Sequence, residues 1–345
     1  MTKDGINRSK NKVRIAINGF GRTGRAATRI ALKNPNCDVV AINSKADSKN
    51  YAYLLKYDSL YGTISDEVYA VDEKTISFNG KKINVFNQDD TQMPWKNLDI
   101  DIVLESSGKF TKKEKAAIHL RDGAKRVIIG APSSDCDATF VYGVNEKSFD
   151  PQKHYIVSNA SCTTNCLAPI AMLLDREYGI VMGYMNTIHA YTNDQRLHDN
   201  SHKKDLRRAR AATYSIIPTS TGAAKAISLV LPSLSGKLDG ISMRVPVPTV
   251  SMVDLSVVTK KKTSKEEVNS LFKSEEKNRL KGILKTSDLP LVSVDFKGDS
   301  HSSIVDTELT TVVKDNLVKV FSWYDNEWGY ASRVIDLAVY ISHNS

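Results

Sequence analysis

The residues of this chain best suited to covalent chemistry lie in Ser158-Asn159-Ala160-Ser161-Cys162-Thr163-Thr164-Asn165-Cys166. This is a small polar turn feeding an apolar run from Leu167 to Leu174, the pattern of a strand end that passes into a helix start. At a helix N-terminus the free N–H groups and the positive dipole end favour a thiolate, so Cys162 is expected to titrate below the ~8.5 of an ordinary thiol. His189, in Met185-Asn186-Thr187-Ile188-His189-Ala190-Tyr191-Thr192, sits where a strand-like run ends and is the natural partner for that thiol. In a chain with four cysteines and seven histidines, such a pair is also compatible with inert packing. Cys166, four positions after Cys162, reads as a buried structural thiol, with a resolving partner for Cys162 as the alternative. Pro169 removes one backbone donor inside the same helix.

The elements that must position this pair begin with a second motif. Val13 to Asn18 is a strand-like run, and Gly19-Phe20-Gly21-Arg22-Thr23-Gly24 follows it at once and opens a helical stretch from Arg25 to Leu32. A G-x-G-x-x-G turn between a strand and a helix lets backbone approach a pyrophosphate and sets helix N–H donors against its charge. With Val39 to Ile42 as the next strand, the segment is expected to bind a dinucleotide through Gly19, Gly21, Arg22, Thr23 and Gly24. About 20 residues beyond such a turn an acid usually meets the ribose 2′-hydroxyl of NAD. Here Ser44 and Lys45 occupy that place. A carboxylate would repel a 2′-phosphate, whereas a hydroxyl can donate to it and a lysine can pair with it, so NADP use is expected, with a tolerant NAD site as the alternative.

Strands at Ile83 to Phe86, Ile100 to Leu104 and Arg126 to Ile129, with a helix from Lys112 to Leu120, continue the alternation expected of a doubly wound, Rossmann-type parallel sheet. Its domain is set at residues 1–160. Beyond the thiol, longer β-branched runs at Gly183 to Ala190, Gly240 to Val245, Met252 to Lys260, Leu291 to Asp295 and Leu317 to Trp323 predict a largely antiparallel sheet in a second domain, residues 161–327. Asn193 to Ser235 reads as a long basic loop that is functional or held at an interface. A final helix, residues 328–345, is expected to pack back on the first domain. The whole is thus α/β plus α+β.

Composition narrows the classes. With 345 residues, 41% of them hydrophobic and 25% charged, the chain suits two globular domains. It contains no run near the ~20 apolar residues of a membrane span. The polar, basic residues 1–12 do not resemble a secretory signal, and four cysteines make no disulfide framework, so the cytoplasm is expected. A net charge of +9 accompanies no dedicated nucleic-acid motif and no metal-ligand spacing, and it suits anionic substrates.

Several further strings stand in register with those motifs: Leu54 to Ser59, His189 to Gln195, Asp205 to Arg210, Ser220 to Lys225, Met243 to Pro246 and Trp323 to Tyr330. Together, from Val13 almost to the C-terminus, the chain resembles the phosphorylating glyceraldehyde-3-phosphate dehydrogenase family. The resemblance implies that Cys162 attacks an aldehyde and His189 acts as base, that a thioester forms, and that inorganic phosphate cleaves it. It implies phosphate contacts at Ser161, Thr163, Thr221 and Gly222 for one anion, and at Thr192 and Arg244, with Arg208 nearby, for the other. It further implies cofactor contacts at Gln88, Gly130, Asn326 and Tyr330, and a homotetramer with the basic loop near a neighbour's cofactor. Ser44, Thr23, Gly130, Gln88 and Ser201 depart from the family's usual pattern, and Ser201 resembles the NADP-using branch. Erythrose-4-phosphate dehydrogenase is a rival of the same type, and a nucleic-acid- or protein-binding role with a dead site is a rival of another class.

Overall fold

The computed structural model describes residues 12–89, 91–203 and 205–345. The expectations for residues 1–11, and for Lys204 in the basic stretch, lie outside the described residues. Strand β1 (Val13–Asn18) buries Ile15, Ala16 and Ile17 completely, as a strand covered on both faces of a parallel sheet must. It is followed by α1 (Arg22–Lys33), β2 (Cys37–Asn43), α2 (Ser48–Lys56), a short pair β3 (Tyr57–Asp58) and β4 (Gly62–Thr63), and an antiparallel run β5 (Val68–Asp72), β6 (Thr75–Phe78) and β7 (Lys81–Phe86). Then come β8 (Ile102–Glu105), α3 (Lys113–Arg121), β9 (Arg126–Ile129), β10 (Ala138–Thr139) and β11 (Ile156–Ser158). Apart from β3 and β4 these strands form one sheet, ordered β10-β11-β9-β8-β1-β2-β7-β6-β5 and parallel from β10 to β7. Because β1 lies between β2 and β8, the strand order reverses there. A crevice opens at the carboxyl ends of these strands, where such sheets hold their ligands.

Helix α4 (Cys162–Tyr178) leads out of that sheet and is buried along nearly its whole length. Beyond it lie β12 (Ile180–Ala190), β13 (Ile217–Ser220), α5 (Ala223–Val230), β14 (Leu238–Val245), β15 (Ser251–Thr259), α6 (Lys265–Lys277), β16 (Leu284–Ser287), β17 (Ser303–Val313), β18 (Leu317–Tyr324) and α7 (Trp328–His343). These strands are ordered β13-β14-β12-β15-β18-β17-β16. The pairs β12–β14 and β16–β17 are parallel and the others antiparallel. The α/β domain with its doubly wound sheet and the second domain with its mostly antiparallel sheet are therefore both present.

Two expectations about the second domain are corrected. Leu291 to Asp295 is not a strand: Ser293–Phe296 is a 3-10 turn in which the Asp295 carboxylate accepts the Val292 N–H at 2.8 Å, and Val292 and Val294 are exposed. Asn193 to Ser235 is not a structureless loop. It contains β13, which pairs with β14, and α5, whose Ala223, Ala224, Ile227 and Val230 enter the same core as α4. Helix α7 buries Val334, Ile335, Leu337, Ala338 and Ile341 in one core with Ile15, Ile17, Ala27 and Ala31 of the first sheet and α1. Cys162 packs against both this core and that of the second sheet, so the thiol sits where the two meet.

Candidate active site

The glycine-rich turn is shaped by what its glycines touch. Gly19 has φ +96°, and a Cβ there would lie 2.4 Å from the Ser107 nitrogen; a Cβ on Gly24 would lie 2.1 Å from the Gly19 oxygen. Gly24 thus lets α1 start against the turn and packs inside, whereas Gly21 has open space on its side-chain face. Gly21 caps α1 with no side-chain hydrogen bond, so the first N–H groups of the helix remain as donors toward the crevice. The crevice is a cavity of about 1400 Å³ whose lining includes Gly19, Gly21, Arg22, Thr23, Ser44, Gln88, Gly130, Ser161, Cys162, His189, Thr192, Asp194, Asn326 and Tyr330. The glycine-rich turn and the Cys–His pair therefore face one another across a single space.

Cys162 is delivered by a strained turn. Ala160, wholly buried, has φ +55°, a left-handed conformation that costs a non-glycine residue about 1 kcal/mol. The turn is held by Asn165, whose amide donates to Asn159 O at 2.8 Å and Ser161 O at 3.0 Å, and by Tyr330, whose hydroxyl donates to Ala160 O at 3.0 Å. Ser161 caps α4 by accepting the Thr164 N–H at 3.0 Å. Cys162 Sγ then lies 3.4 Å from His189 Nε2.

His189 Nδ1 lies 2.6 Å from Ala190 O. A carbonyl only accepts, and this contact is shorter than the 3.0 Å to the Arg244 guanidinium, which has Ala190 O and Thr192 Oγ1 as acceptors instead; Nδ1 is therefore assigned the proton, and Nε2 presents its lone pair to the thiol. The parallel register of β12 and β14 places Arg244 beside His189. One guanidinium nitrogen of Arg244 lies 3.0 Å from His189 Nδ1, 3.2 Å from Ala190 O and 3.2 Å from Thr192 Oγ1. Burial, then the Arg244 charge, push His189 down to about 3. Burial pushes the Cys162 thiol up, although Arg244 and the hydroxyl and N–H of Thr163 oppose it. For Cys162, half-buried at the edge of the cavity, the direction is opposite to the lowered pKa expected: desolvation outweighs the helix end, and His189 Nε2 is placed to take the thiol proton.

Other expected site residues divide by what their side chains touch. Arg22 contributes its position at the start of α1, but its guanidinium bonds Glu327, at 2.9 Å and 2.6 Å, and Asp58, at 2.5 Å. Thr163 turns its hydroxyl inward to Tyr324 at 2.9 Å. Arg208 pairs with Asp194 and donates to Thr219 Oγ1 at 2.8 Å and 2.6 Å. Thr221 accepts the Ala223 N–H at 3.2 Å, and Gly222 caps α5 without a side-chain bond. Gly24, Thr163, Arg208, Thr221, Gly222 and Arg244 are not among the residues lining the cavity. Ser44 accepts the Phe20 N–H at 3.3 Å, and Lys45 beside it is exposed. Ser201 receives no cavity position; its carbonyl accepts from Arg196 at 3.0 Å. Cys166 is fully buried, its thiol directed to Ser322 O at 3.6 Å and pushed up to about 12 by burial.

The sequence reasoning missed Ser251, which is buried between the two machineries. It accepts the Ala190 N–H at 3.0 Å and donates to Asn326 Oδ1 at 2.9 Å, so the amide NH₂ is what Asn326 can offer a ligand. A serine at the start of a strand carries no signal of this; only the pairing of β15 with β12 and β18 creates it. Asp194 was likewise visible only as part of a motif. Among the described residues no group of three or more His, Cys, Asp or Glu could hold a metal ion, and no helix is long and apolar enough to cross a membrane.

Comparison with known proteins gives two family matches: the glyceraldehyde 3-phosphate dehydrogenase NAD-binding domain over residues 13–113 and the C-terminal domain of the same enzyme over residues 161–326. Curated relatives include the glyceraldehyde-3-phosphate dehydrogenase of Geobacillus stearothermophilus, 54% identical over 96% of this chain and 98% of its own. Glyceraldehyde-3-phosphate dehydrogenase 2 of Bacillus subtilis is 53% identical over 96% and 97%. The chloroplastic enzyme A of Chlamydomonas reinhardtii is 53% identical over 96% and 89%. With both domains matched and the relatives aligned almost end to end, the chain belongs to the glyceraldehyde-3-phosphate dehydrogenase family.

Proposed function

We propose that this protein oxidises glyceraldehyde 3-phosphate, with inorganic phosphate, to 1,3-bisphosphoglycerate. The observation that carries the reading is the Sγ–Nε2 approach of 3.4 Å across a cavity shared with the glycine-rich turn. His189 Nε2 takes the thiol proton as Cys162 Sγ bonds the aldehyde carbon. The oxyanion of that adduct is met by N–H groups at the start of α4 and by the imidazolium, whose proton it takes to become the thiohemiacetal hydroxyl, leaving His189 neutral. His189 takes the hydroxyl proton again as a hydride leaves the same carbon and the thiohemiacetal becomes a thioester, and phosphate oxygen then displaces Sγ as thiolate to release the acyl phosphate. Thr192 and Arg244 hold one phosphate, Arg208 orienting Asp194 beside them. Ser161, the N–H of Thr163, Thr221 and Gly222 hold the other.

The residues present fit a nicotinamide dinucleotide: Gly21 is open, α1 lacks a side-chain cap, and Asn326 has an amide NH₂ to offer. When bound, that cofactor supplies the hydride acceptor. Gly19, Gly21, Thr23 and Gly130 accommodate it closely, Gln88 and Ser44 face its adenosine half, and Tyr330 flanks the ring. Ser44 and exposed Lys45 in place of an acid support NADP use alongside NAD. Exposed Met182 and Tyr184 on the outer face of the second sheet, and Leu206, Tyr214 and Ile216 in the basic segment, support a homotetramer. Four free cysteines suit a reducing compartment, and we assign the enzyme to the cytoplasm.

The test is reduction of NAD and of NADP by the purified protein with glyceraldehyde 3-phosphate, with and without phosphate. Phosphate-dependent reduction is expected. Activity indifferent to phosphate, or confined to erythrose 4-phosphate, would overturn the reading.

A further inference from the structure

Among the buried titratable side chains that the mechanism leaves unused are Glu105 at the end of β8 and His119 in α3. One Glu105 oxygen, Oε2, accepts from Asn18 Nδ2 at 2.6 Å and from His119 Nε2 at 3.1 Å; the other accepts from the Ser107 N–H at 2.7 Å and its hydroxyl at 2.5 Å. The chain of bonds continues outward on both sides. Trp95 Nε1–H donates to His119 Nδ1 at 2.9 Å. On the other side Asn43 Nδ2 donates to Asn18 Oδ1 at 2.9 Å, and the Gln88 backbone N–H donates to Asn43 Oδ1 at 2.9 Å. Every donor points toward Glu105.

We propose that Glu105 is a positioning residue for the dinucleotide: its carboxylate sets the polarity of a buried chain that ties together the turns after β1, β2, β7 and β8. Those turns carry Gly19, Ser44, Gln88 and Ser107, which all line the crevice. The inference rests on the dinucleotide reading above and adds to it a residue that does not line the cavity.

The chain admits only an acceptor at its centre. The Trp95 indole N–H and the backbone N–H groups of Ser107 and Gln88 cannot be turned into acceptors, so the ends of the chain are pinned. With glutamine at position 105, the Ser107 N–H holds the amide oxygen and sets its NH₂ against the NH₂ of Asn18. Turning Asn18 over transfers the conflict to Asn43, and turning Asn43 over sets its NH₂ against the Gln88 N–H. A buried donor left facing a donor costs about 1–3 kcal/mol. The same logic gives the cure. With aspartate at position 43 the carboxylate has moved along the chain: the introduced glutamine donates to Asn18, Asn18 donates to the introduced aspartate, and that aspartate accepts the Gln88 N–H. The conflict with His119 remains, so recovery is partial.

The experiment is titration of NAD onto the purified full chain, followed by protein fluorescence, for wild type, Glu105→Gln, Asn43→Asp and the double variant. Glu105→Gln and Asn43→Asp are each expected to raise the NAD dissociation constant about tenfold or more, and the double variant to bind more tightly than either. Rates of Cys162 alkylation are expected to be equal across the set, because the chain does not reach the thiol. Glu105→Gln binding within about twofold of wild type, or losses that simply add in the double variant, would overturn the proposal. Should Glu105→Gln not fold, a folded double variant that binds NAD supports the chain and an unfolded one sinks it. Failure of the wild type to bind any dinucleotide would fault the proposed function instead.

Discussion

On the glycine-rich side of the cavity the groups offered to a ligand are mostly backbone, and what shapes them is the absence of side chains: no Cβ fits at Gly19 or Gly24, and none stands in the way at Gly21. On the thiol side the groups are side chains whose reactivity is set by burial. Cys162 is pushed up and His189 down to about 3 by the same loss of water. The first region is controlled by shape and the second by desolvation. Mutations should therefore separate them, binding failing on one side and chemistry on the other.

The largest separation is expected from Cys162→Ser, which should lower kcat by about 10³-fold or more while leaving the NAD dissociation constant nearly unchanged, because a hydroxyl is far less acidic and less nucleophilic than a thiol. Fluorescence titration beside a steady-state assay checks both halves. His189→Asn should lower kcat about 10²–10⁴-fold, the span of general-base effects, and slow Cys162 alkylation at neutral pH. Gly24→Val gives the mirror image. Its Cβ would overlap the Gly19 carbonyl, so NAD binding should be lost with about 2 kcal/mol or more of stability, measured by urea unfolding.

Smaller effects sharpen the electrostatic side. Between the unfolded histidine value of ~6.5 and the folded value near 3 the unfolded chain binds the extra proton, so His189 makes stability fall as pH drops through that window, by ~1.4 kcal/mol per pH unit at most. The urea midpoint of His189→Asn should therefore decline less between pH 6.5 and pH 4 than that of wild type. The raised thiol implies the opposite limb: alkylation of wild-type Cys162 should still be accelerating above the usual ~8.5, and a plateau below neutral pH would refute the desolvation account. The smallest effect is expected from Ser44→Asp, about tenfold weaker NADP binding with NAD little changed.

Legibility followed the same division. The turn from Gly19 to Gly24 could be read because a backbone constraint leaves glycines at fixed spacing, and β1, β9, α4 and the position of Cys162 followed from local pattern. What escaped depends on contacts far apart in the chain. Ser251 matters only because β15 runs between β12 and β18. The inward turn of Thr163 depends on Tyr324, and the engagement of Arg22 on Glu327 and Asp58. The thiol shift was misjudged because a helix start is visible in sequence, whereas the two cores closing over it are not. Leu291 to Asp295 has strand-like residues without a partner strand, and β17 was missed although it spans Ser303–Val313.

Helix α7 has a consequence for how the protein is made. It is synthesised after every strand of the second sheet, yet it packs in the core whose first strand is β1, beside Ile15 and Ala31. The ribosome must therefore extrude the whole second sheet before the first domain can close. Until then the apolar faces of α1 and β1 wait uncovered, a window in which a chaperone has reason to hold the nascent chain. Removing α7 would thus leave the first domain, and not merely the second, unfinished.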